Sequence, residues 1–157
     1  FDCAPGDLFV IRNVANLVPP AEDRVGHHGT TAALEYGVCN LAVEHIVVLG
    51  HAHCGGIHTL LQTAGRDNPN SYIDDWMSLV EAARLQVMRD FADASDEVRQ
   101  RECEQRAIVV SLQNLLSFSW IAERVASGTL ALHGWYFDIE SGQLLAYQAE
   151  HKQFVSL

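Results

Sequence analysis

The segment at residues 47–56, Val-Val-Leu-Gly-His-Ala-His-Cys-Gly-Gly, constrains the fold of this chain more than any other. A short apolar run that follows a helical pattern and ends at a glycine is typical of a strand covered on both faces in a parallel sheet. The carboxyl end of such a strand opens into the crevice where α/β proteins bind their ligands. We therefore predict a buried strand over residues 46–49, with the residues that follow it at the edge of a crevice.

Two side chains directly after this strand are suited to a metal ion. His51 and Cys54 are three positions apart across a strand-to-helix turn, so an imidazole and a thiol can converge on one ion. These are the two ligand types that zinc prefers. The pair alone is a weak signal, because structural zinc needs four ligands and catalytic zinc needs three protein ligands. A packed histidine and a buried thiol are the more common explanation of such a pair in isolation.

Composition limits the classes of partner. The chain has 157 residues, which suits one domain, and its 20 acidic residues against 10 basic ones give a net charge of −10. This charge argues against a nucleic-acid-binding surface. No apolar run approaches the ~20 residues that span a bilayer, so we expect no membrane segment. Four cysteines without the spacing of a disulfide framework indicate reduced thiols and predict a cytoplasmic protein.

Hydrophobic periodicity predicts alternating strands and helices. We expect strands at residues 8–13 and 46–49, a helix that ends near residue 44, and another that begins near Cys54. Helical patterns follow at residues 71–91, 96–116 and 120–126, with Gly128 placed just after the last helix. Residues 130–138 and 143–148 predict a hairpin around Glu140-Ser141-Gly142.

Several ordered motifs together resemble a known family. The chain resembles the β-class carbonic anhydrases, particularly their bacterial members, over essentially its whole length. The matching motifs are Pro-Gly-Asp-Leu-Phe-Val-Ile-Arg-Asn-Val-Ala-Asn at residues 5–16, Gly-Thr-Thr-Ala-Ala-Leu-Glu-Tyr at 29–36, Gly-His-x-x-Cys-Gly-Gly at 50–56, Asp-Trp-Met at 75–77, and Leu-His-Gly-Trp-Tyr-Phe-Asp at 132–138. Their order and separation are far more specific than the His-x-x-Cys pair alone.

The resemblance implies a chemistry and roles for three residues. His51 and Cys54 would be two of the three protein ligands of a catalytic Zn²⁺, and a zinc-bound hydroxide would interconvert CO₂ and bicarbonate. Gly55 either caps the strand and begins the next helix, or brings its backbone N–H close to a substrate oxygen at a helix N-terminus. His53 could form a His-x-His pair with His51, and His27 or His28 could relay protons.

One family motif does not occur in these 157 residues. The family carries a Cys-x-Asp-Ser-Arg segment, which supplies the first zinc thiolate, an Asp–Arg pair beside the metal and a central strand of the sheet. None of the four cysteines (Cys3, Cys39, Cys54 and Cys103) is followed by that pattern. We therefore expect that residues 1–157 form a single domain from a longer polypeptide, whose N-terminal helices and first central strand precede Phe1. The alternative is a natural or engineered truncation whose fold is completed by a partner.

The expected fold class is α/β, with a mainly parallel central sheet of four to five strands, helices on both faces and a C-terminal edge hairpin. The resemblance also implies a homodimer or a dimer of dimers, with active sites at the subunit junction. Two alternative functions stay open at this point. The first is a non-catalytic, metal-poor relative that acts as an oligomerisation or regulatory module, and the second is a hydrolase of carbonyl sulfide or carbon disulfide on the same scaffold.

Overall fold

A computed structural model describes residues 2–21, 28–62 and 71–157 of the chain. A 3₁₀ turn at Val14–Asn16 precedes helix α1 (Gly29–Glu35), which continues into a π-helical turn at Tyr36–Asn40. The remaining elements are β1 (His45–His51), α2 (Gly55–Gln62), α3 (Tyr72–Met77), α4 (Glu81–Asp90), α5 (Asp96–Leu115), α6 (Ser119–Ala126), β2 (Ala131–Phe137), β3 (Leu144–Gln148) and β4 (Gln153–Ser156).

The four strands form one mixed sheet in the order β1-β2-β3-β4. Strands β1 and β2 are parallel, and both the β2–β3 and β3–β4 pairs are antiparallel. The predicted α/β class, the strand number and the C-terminal hairpin are confirmed. The sheet is less parallel than the sequence predicts, because only the β1–β2 connection contains crossover helices, whereas short turns join the later strands and permit antiparallel pairing alone.

Helix α5 covers one face of the sheet and contacts both β1 and β2. Ile108 on α5 is fully buried against this face, in a core that includes Val48 and Tyr136. A Cβ atom at Gly134 would lie 2.9 Å from side-chain carbons of both Ile108 and Leu112. The glycine therefore allows α5 to approach the sheet closely enough to exclude water from the core.

The opposite face of the sheet, called the uncovered sheet face here, is only partly buried by the described residues, whereas the sequence predicts burial of β1 on both faces. Val47 and Leu49 are each 39% exposed, and Phe137 beside them on β2 is 38% exposed. All three belong to the same face, since Leu49 pairs with Trp135 and His51 with Phe137.

The strand predicted at residues 8–13 is also absent from the sheet. This segment carries no strand pairing in the described structure, and Leu8, Phe9 and Val10 are 52%, 47% and 66% exposed. The prediction fails because an apolar run becomes a strand only beside a neighbour that accepts its backbone hydrogen bonds. The four described strands pair with one another and not with this segment.

The helix predictions are closer to the structure. Helices α5 and α6 match the predicted ranges within one residue, and Gly128 follows α6 with a φ of +72°, as expected for the residue after a helix. The pattern over residues 71–91 is divided into α3 and α4 by a 3₁₀ turn at Ser78–Val80. None of the helices in the described ranges has the length and apolar character needed to cross a membrane.

Candidate functional site

The candidate site lies where β1 ends and α2 begins. His51 is the last residue of β1, and Cys54 directly precedes the first residue of α2. The backbone N–H of Ala52 donates to the carbonyl oxygen of Phe137 at 2.9 Å, which extends the parallel pairing beyond β1. His51 and Cys54 therefore flank a two-residue turn that is anchored to β2, at the sheet edge where α/β proteins bind ligands.

The imidazole of His51 is oriented by its neighbour. Its Nδ1 atom lies 2.8 Å from the carbonyl oxygen of Ala52. A carbonyl oxygen only accepts hydrogen bonds, so Nδ1 must carry the proton in this contact. In the neutral ring the lone pair then resides on Nε2. The nitrogen of His51 that can bind a metal is therefore Nε2.

Hydrogen bonds to its backbone fix the position of Cys54. The residue is 5% exposed, and its backbone N–H donates to Oε1 of Glu104 at 2.8 Å. Its carbonyl oxygen accepts from the N–H of His58 at 2.9 Å, in the first turn of α2. Both backbone groups of Cys54 are thus engaged, which fixes the start of its side chain relative to β1.

Glu104 also borders this turn, although the sequence does not predict it as a site residue. Its carboxylate is 3% exposed and accepts two further hydrogen bonds, from Gln100 Nε2 at 2.9 Å and from the Tyr136 hydroxyl at 2.8 Å. Burial, and then the neighbouring carboxylate, raises the pKa of Tyr136, so its hydroxyl remains a donor. A sequence signal did exist: on α5, Glu104 shares the buried stripe of Ala107, Ile108, Ser111 and Leu115. A carboxylate in such a stripe requires hydrogen-bond partners.

His53 is directed elsewhere. Its backbone has a φ of +57°, and its Nε2 atom lies 3.0 Å from Oε1 of Glu140, in the turn between β2 and β3. The structure therefore pairs His53 with Glu140 and does not support a His-x-His pair with His51. Of the two residues suggested as proton relays, His28 is exposed and His27 lies outside the described residues.

The two glycines after Cys54 differ in their surroundings. No described atom lies within 4 Å of a Cβ placed on Gly55, the first residue of α2. A Cβ on Gly56 would lie 2.8 Å from Cγ1 of Val14 and 3.3 Å from Cβ of Ala15. Packing therefore requires glycine at position 56 but not at position 55, where the space in front of the backbone is open.

The turn at Val14–Asn16 packs beside the site in a strained conformation. Ala15 and Asn16 have φ values of +59° and +51°, a region that residues with side chains rarely adopt. The buried Nδ2 atom of Asn16 has no hydrogen-bond partner among the described residues. Trp76 holds the turn from outside, since its Nε1 donates to the Val14 carbonyl at 2.8 Å. Strain of this kind is common at functional sites.

The chemistry of the donors at this turn fits zinc, but their number falls one short. Nε2 of His51 and the thiolate of Cys54 are matched ligand types. No group of three His, Cys, Asp or Glu side chains that could hold a metal ion occurs in the part of the chain that the structure describes. A three-ligand catalytic site at this turn would therefore need a donor beyond those residues.

The other three thiols do not complete such a site, since none belongs to a group of three possible ligands among the described residues. Cys103 is fully buried on α5, and burial followed by the charge of Glu104 raises its pKa to about 12. It therefore stays a neutral thiol at physiological pH in the metal-free protein. Cys3 and Cys39 are exposed, and all four cysteines are free thiols.

Comparison with known proteins gives consistent matches. A family model described as carbonic anhydrase matches residues 1–144. Among curated proteins of Arabidopsis thaliana, β-carbonic anhydrase 3 is 37% identical over 149 residues, which cover 94% of this chain and 57% of that protein. The chloroplastic β-carbonic anhydrase 5 is 40% identical over 134 residues, covering 85% of this chain and 44% of that protein. The chain thus spans about half the length of the curated relatives that it matches.

Solved structures agree with the sequence relatives. The β-carbonic anhydrase CcaA superimposes with a TM-score of 0.89 and 34% identity, covering 99% of this chain and 69% of that chain. One of two tetrameric β-carbonic anhydrases from the ascomycete Sordaria macrospora gives a TM-score of 0.77 at 31% identity, covering 91% of this chain and 69% of that chain. Both likenesses extend over nearly all of the chain.

Proposed function

Because this chain belongs to the β-carbonic anhydrase family, we propose that it supplies part of the zinc site of an enzyme that interconverts CO₂ and bicarbonate. The observation that carries the proposal is the anchored turn between β1 and α2, which places a histidine with a free Nε2 and a buried cysteine three residues apart at the end of a parallel strand pair. When bound, zinc lowers the pKa of water from 15.7 to about 7 and so supplies hydroxide at neutral pH.

Each residue at the turn has a separate role in this proposal. His51 would bind the metal through Nε2, because its Nδ1 proton is donated to Ala52. Cys54 would bind through its thiolate. The N–H of Gly55 would contact a substrate oxygen, since a Cβ placed on this residue would meet open space and the N-terminus of a helix favours negative charge.

The remaining zinc ligand and the acid/base pair are assigned to the Cys-x-Asp-Ser-Arg segment that the family resemblance leads us to expect in the parent polypeptide. Two observations support a neighbour of this kind. The described residues leave the site one donor short. Within them, β1 is an edge strand that pairs only with β2, so its outer backbone groups are unpaired in the sheet.

We also assign the uncovered sheet face to self-association, as a homodimer or a dimer of dimers. Val47, Leu49 and Phe137 expose apolar surface on this face, beside the open edge of β1. Exposed apolar surface of this kind marks an interaction site more often than a solvated face. The partner is then a second copy of the same polypeptide.

The cellular location of the protein stays a prediction. The sequence predicts the cytoplasm, whereas two of the relatives are named for the chloroplast and the mitochondrion.

The test of the zinc site uses the full-length protein with His51→Ala and Cys54→Ala. We expect both variants to lose bound zinc and to show CO₂ hydration at the background rate, because one lost ligand of three cannot be replaced locally. His53→Ala and Cys39→Ala are matched controls that remove the same side-chain types at exposed positions, and they should retain zinc and activity.

Zinc per chain and the hydration rate are measured together. Stoichiometric zinc and full hydration in Cys54→Ala would show that another residue holds the metal. A wild-type protein that binds no zinc and hydrates no CO₂ would instead favour the non-catalytic alternative. Zinc binding with turnover of carbonyl sulfide or carbon disulfide, but not of CO₂, would favour the hydrolase.

A further inference from the structure

We propose that Glu104 is a positioning residue for Cys54, and that its buried carboxylate sets the zinc affinity of the site through the Cys54 backbone. The inference rests on the proposed function, since it takes Cys54 to be a zinc ligand. Glu104 itself is assigned neither to the metal nor to the substrate. It acts through the turn between β1 and α2.

A hydrogen bond joins Glu104 to the turn between β1 and α2. Oε1 of Glu104 accepts the Cys54 N–H at 2.8 Å, across 50 positions of sequence. Both residues are buried, at 3% and 5% exposure, so water does not compete for the bond. A hydrogen bond from a backbone N–H to a carboxylate is roughly twice as strong as one between neutral groups. The amide of Cys54 is therefore held in one orientation by α5.

The carboxylate of Glu104 is itself held in place by two other donors. Tyr136 on β2 donates to Oε2 at 2.8 Å, and Gln100, one turn earlier on α5, donates to Oε1 at 2.9 Å. Tyr136 pairs in register with Gly50 on β1, so the phenol comes from the strand position next to the site. Glu104 thus connects α5, β2 and the turn through one rigid group. It has three donors around it and no freedom to rotate without losing one of them.

The hydrogen bond between Glu104 and Cys54 affects the metal through the direction of the Cys54 side chain. The peptide plane of Cys54 determines where its Cα–Cβ bond points, and the thiolate must meet zinc at ~2.3 Å. Groups that orient a ligand without touching the metal typically change metal affinity or activity by about 10–100-fold when mutated. A variant in which the hydrogen bond between the Cys54 N–H and Glu104 is weakened should therefore bind zinc less tightly, even if it keeps the fold.

The substitution Glu104→Gln tests this directly in the full-length protein. The carboxamide has about the same size but no charge. Its oxygen can still accept from the Cys54 N–H while its NH₂ group donates to the Tyr136 hydroxyl, so the variant replaces a charge-assisted bond to Cys54 with a weaker neutral one. We expect the zinc dissociation constant to rise about 10–100-fold. We also expect the Cys54 amide proton to exchange with solvent faster in the metal-free protein, a readout that does not depend on zinc.

Two control variants separate positioning from general destabilisation. Glu102→Gln makes the same charge change two residues earlier on α5, where the side chain is half-buried and points to another side of the helix, and it should leave zinc affinity unchanged. Tyr136→Phe removes one donor but keeps the Cys54 bond to Oε1. If the two variants lose the same free energy of unfolding, Tyr136→Phe should raise the zinc dissociation constant less than Glu104→Gln does.

If Glu104→Gln does not fold, Glu104→Asp retains the charge and shortens the reach by one methylene, and the same two effects are expected. Wild-type zinc affinity and wild-type exchange at Cys54 in the folded variant would overturn the inference. Retention of zinc by Cys54→Ala would refute the proposed function instead. Loss of zinc in Cys54→Ala with unchanged affinity in Glu104→Gln would refute the positioning role alone.

Discussion

The side chain of His51 takes its chemical role from one contact with its own neighbour. Donation from Nδ1 to the Ala52 carbonyl leaves Nε2 as the basic nitrogen, and Ala52 is in turn fixed by its N–H bond to Phe137. Metal-binding histidines usually donate their second nitrogen to a carbonyl or carboxylate in this way. His53, two residues later, contacts Glu140, so proximity in sequence alone does not identify the ligand.

Gly55 and Gly56 allow a matched pair of substitutions at the residue scale. Gly55→Ala places a methyl group in open space, so the free energy of unfolding should change little. The same methyl would crowd a substrate at the start of α2, so we expect the KM for CO₂ to rise. Gly56→Ala drives a methyl to within 2.8 Å of Val14, and should lower the free energy of unfolding by about 1–3 kcal/mol.

Chemical denaturation and steady-state hydration assays check both substitutions. A Gly55→Ala protein with unchanged KM and kcat would remove Gly55 from the substrate contact and leave it the role of beginning the helix. A Gly56→Ala protein as stable as the wild type would show that the turn at Val14–Asn16 relaxes more readily than its close packing indicates.

Candidate site residues that are close together in the chain could be predicted from the sequence, and those brought in from a distance could not. His51, Cys54 and Gly55 lie within five positions, so a strand followed by a helix is enough to place them together. Glu104 reaches the same turn only because α5 packs across β1 and β2. Its sole signal in the sequence is a carboxylate within an apolar stripe, and the partner of such a group depends on the tertiary fold.

At the scale of the elements, the local pattern predicted the helices and β1, but not which segments pair as strands or which faces of a strand are buried. The apolar run at 46–49 correctly predicted β1, yet such a run does not show how many faces are buried. Val48 is buried and Val47 is 39% exposed, although both are valines in one strand. The segment at 8–13 has a similar pattern and no strand pairing, because the described sheet offers it no neighbour. Pairing is a property of two segments, and a single run cannot specify it.

Helix α5 is the element that connects the core to the site. It buries Ile108 against the sheet, binds the turn at Val14–Asn16 through Ser111, and presents Glu104 to Cys54. The Ser111 hydroxyl donates to the Asn16 carbonyl at 3.0 Å and accepts from the Val18 N–H at 3.2 Å. One helix therefore supports both backbone segments that border the candidate metal site.

For the whole molecule, the uncovered sheet face predicts self-association. The substitution Val47→Lys places a charge on this face without entering the core, because Val47 is already 39% exposed. We expect it to shift the full-length protein towards smaller species, since a buried unpaired charge in an interface is costly. Leu85→Lys on α4 is the control, at a position that is 54% exposed and away from the sheet, and it should not change the assembly.

Sedimentation velocity at micromolar concentration measures this effect. An obligate interface of the kind expected buries well over ~2,000 Å² in total, so the wild-type protein should remain associated at that concentration. A wild-type protein that sediments as a monomer would contradict the assignment of this face to a second copy.

Diffraction data collected at the zinc absorption edge, from crystals of the full-length protein, test the central claim most directly. The proposed site predicts an anomalous peak about 2.3 Å from Sγ of Cys54 and about 2.0–2.1 Å from Nε2 of His51, with Nδ1 of His51 still within hydrogen-bond distance of the Ala52 carbonyl oxygen. A zinc peak remote from these two atoms, or one coordinated by Nδ1 of His51, would contradict the site described above.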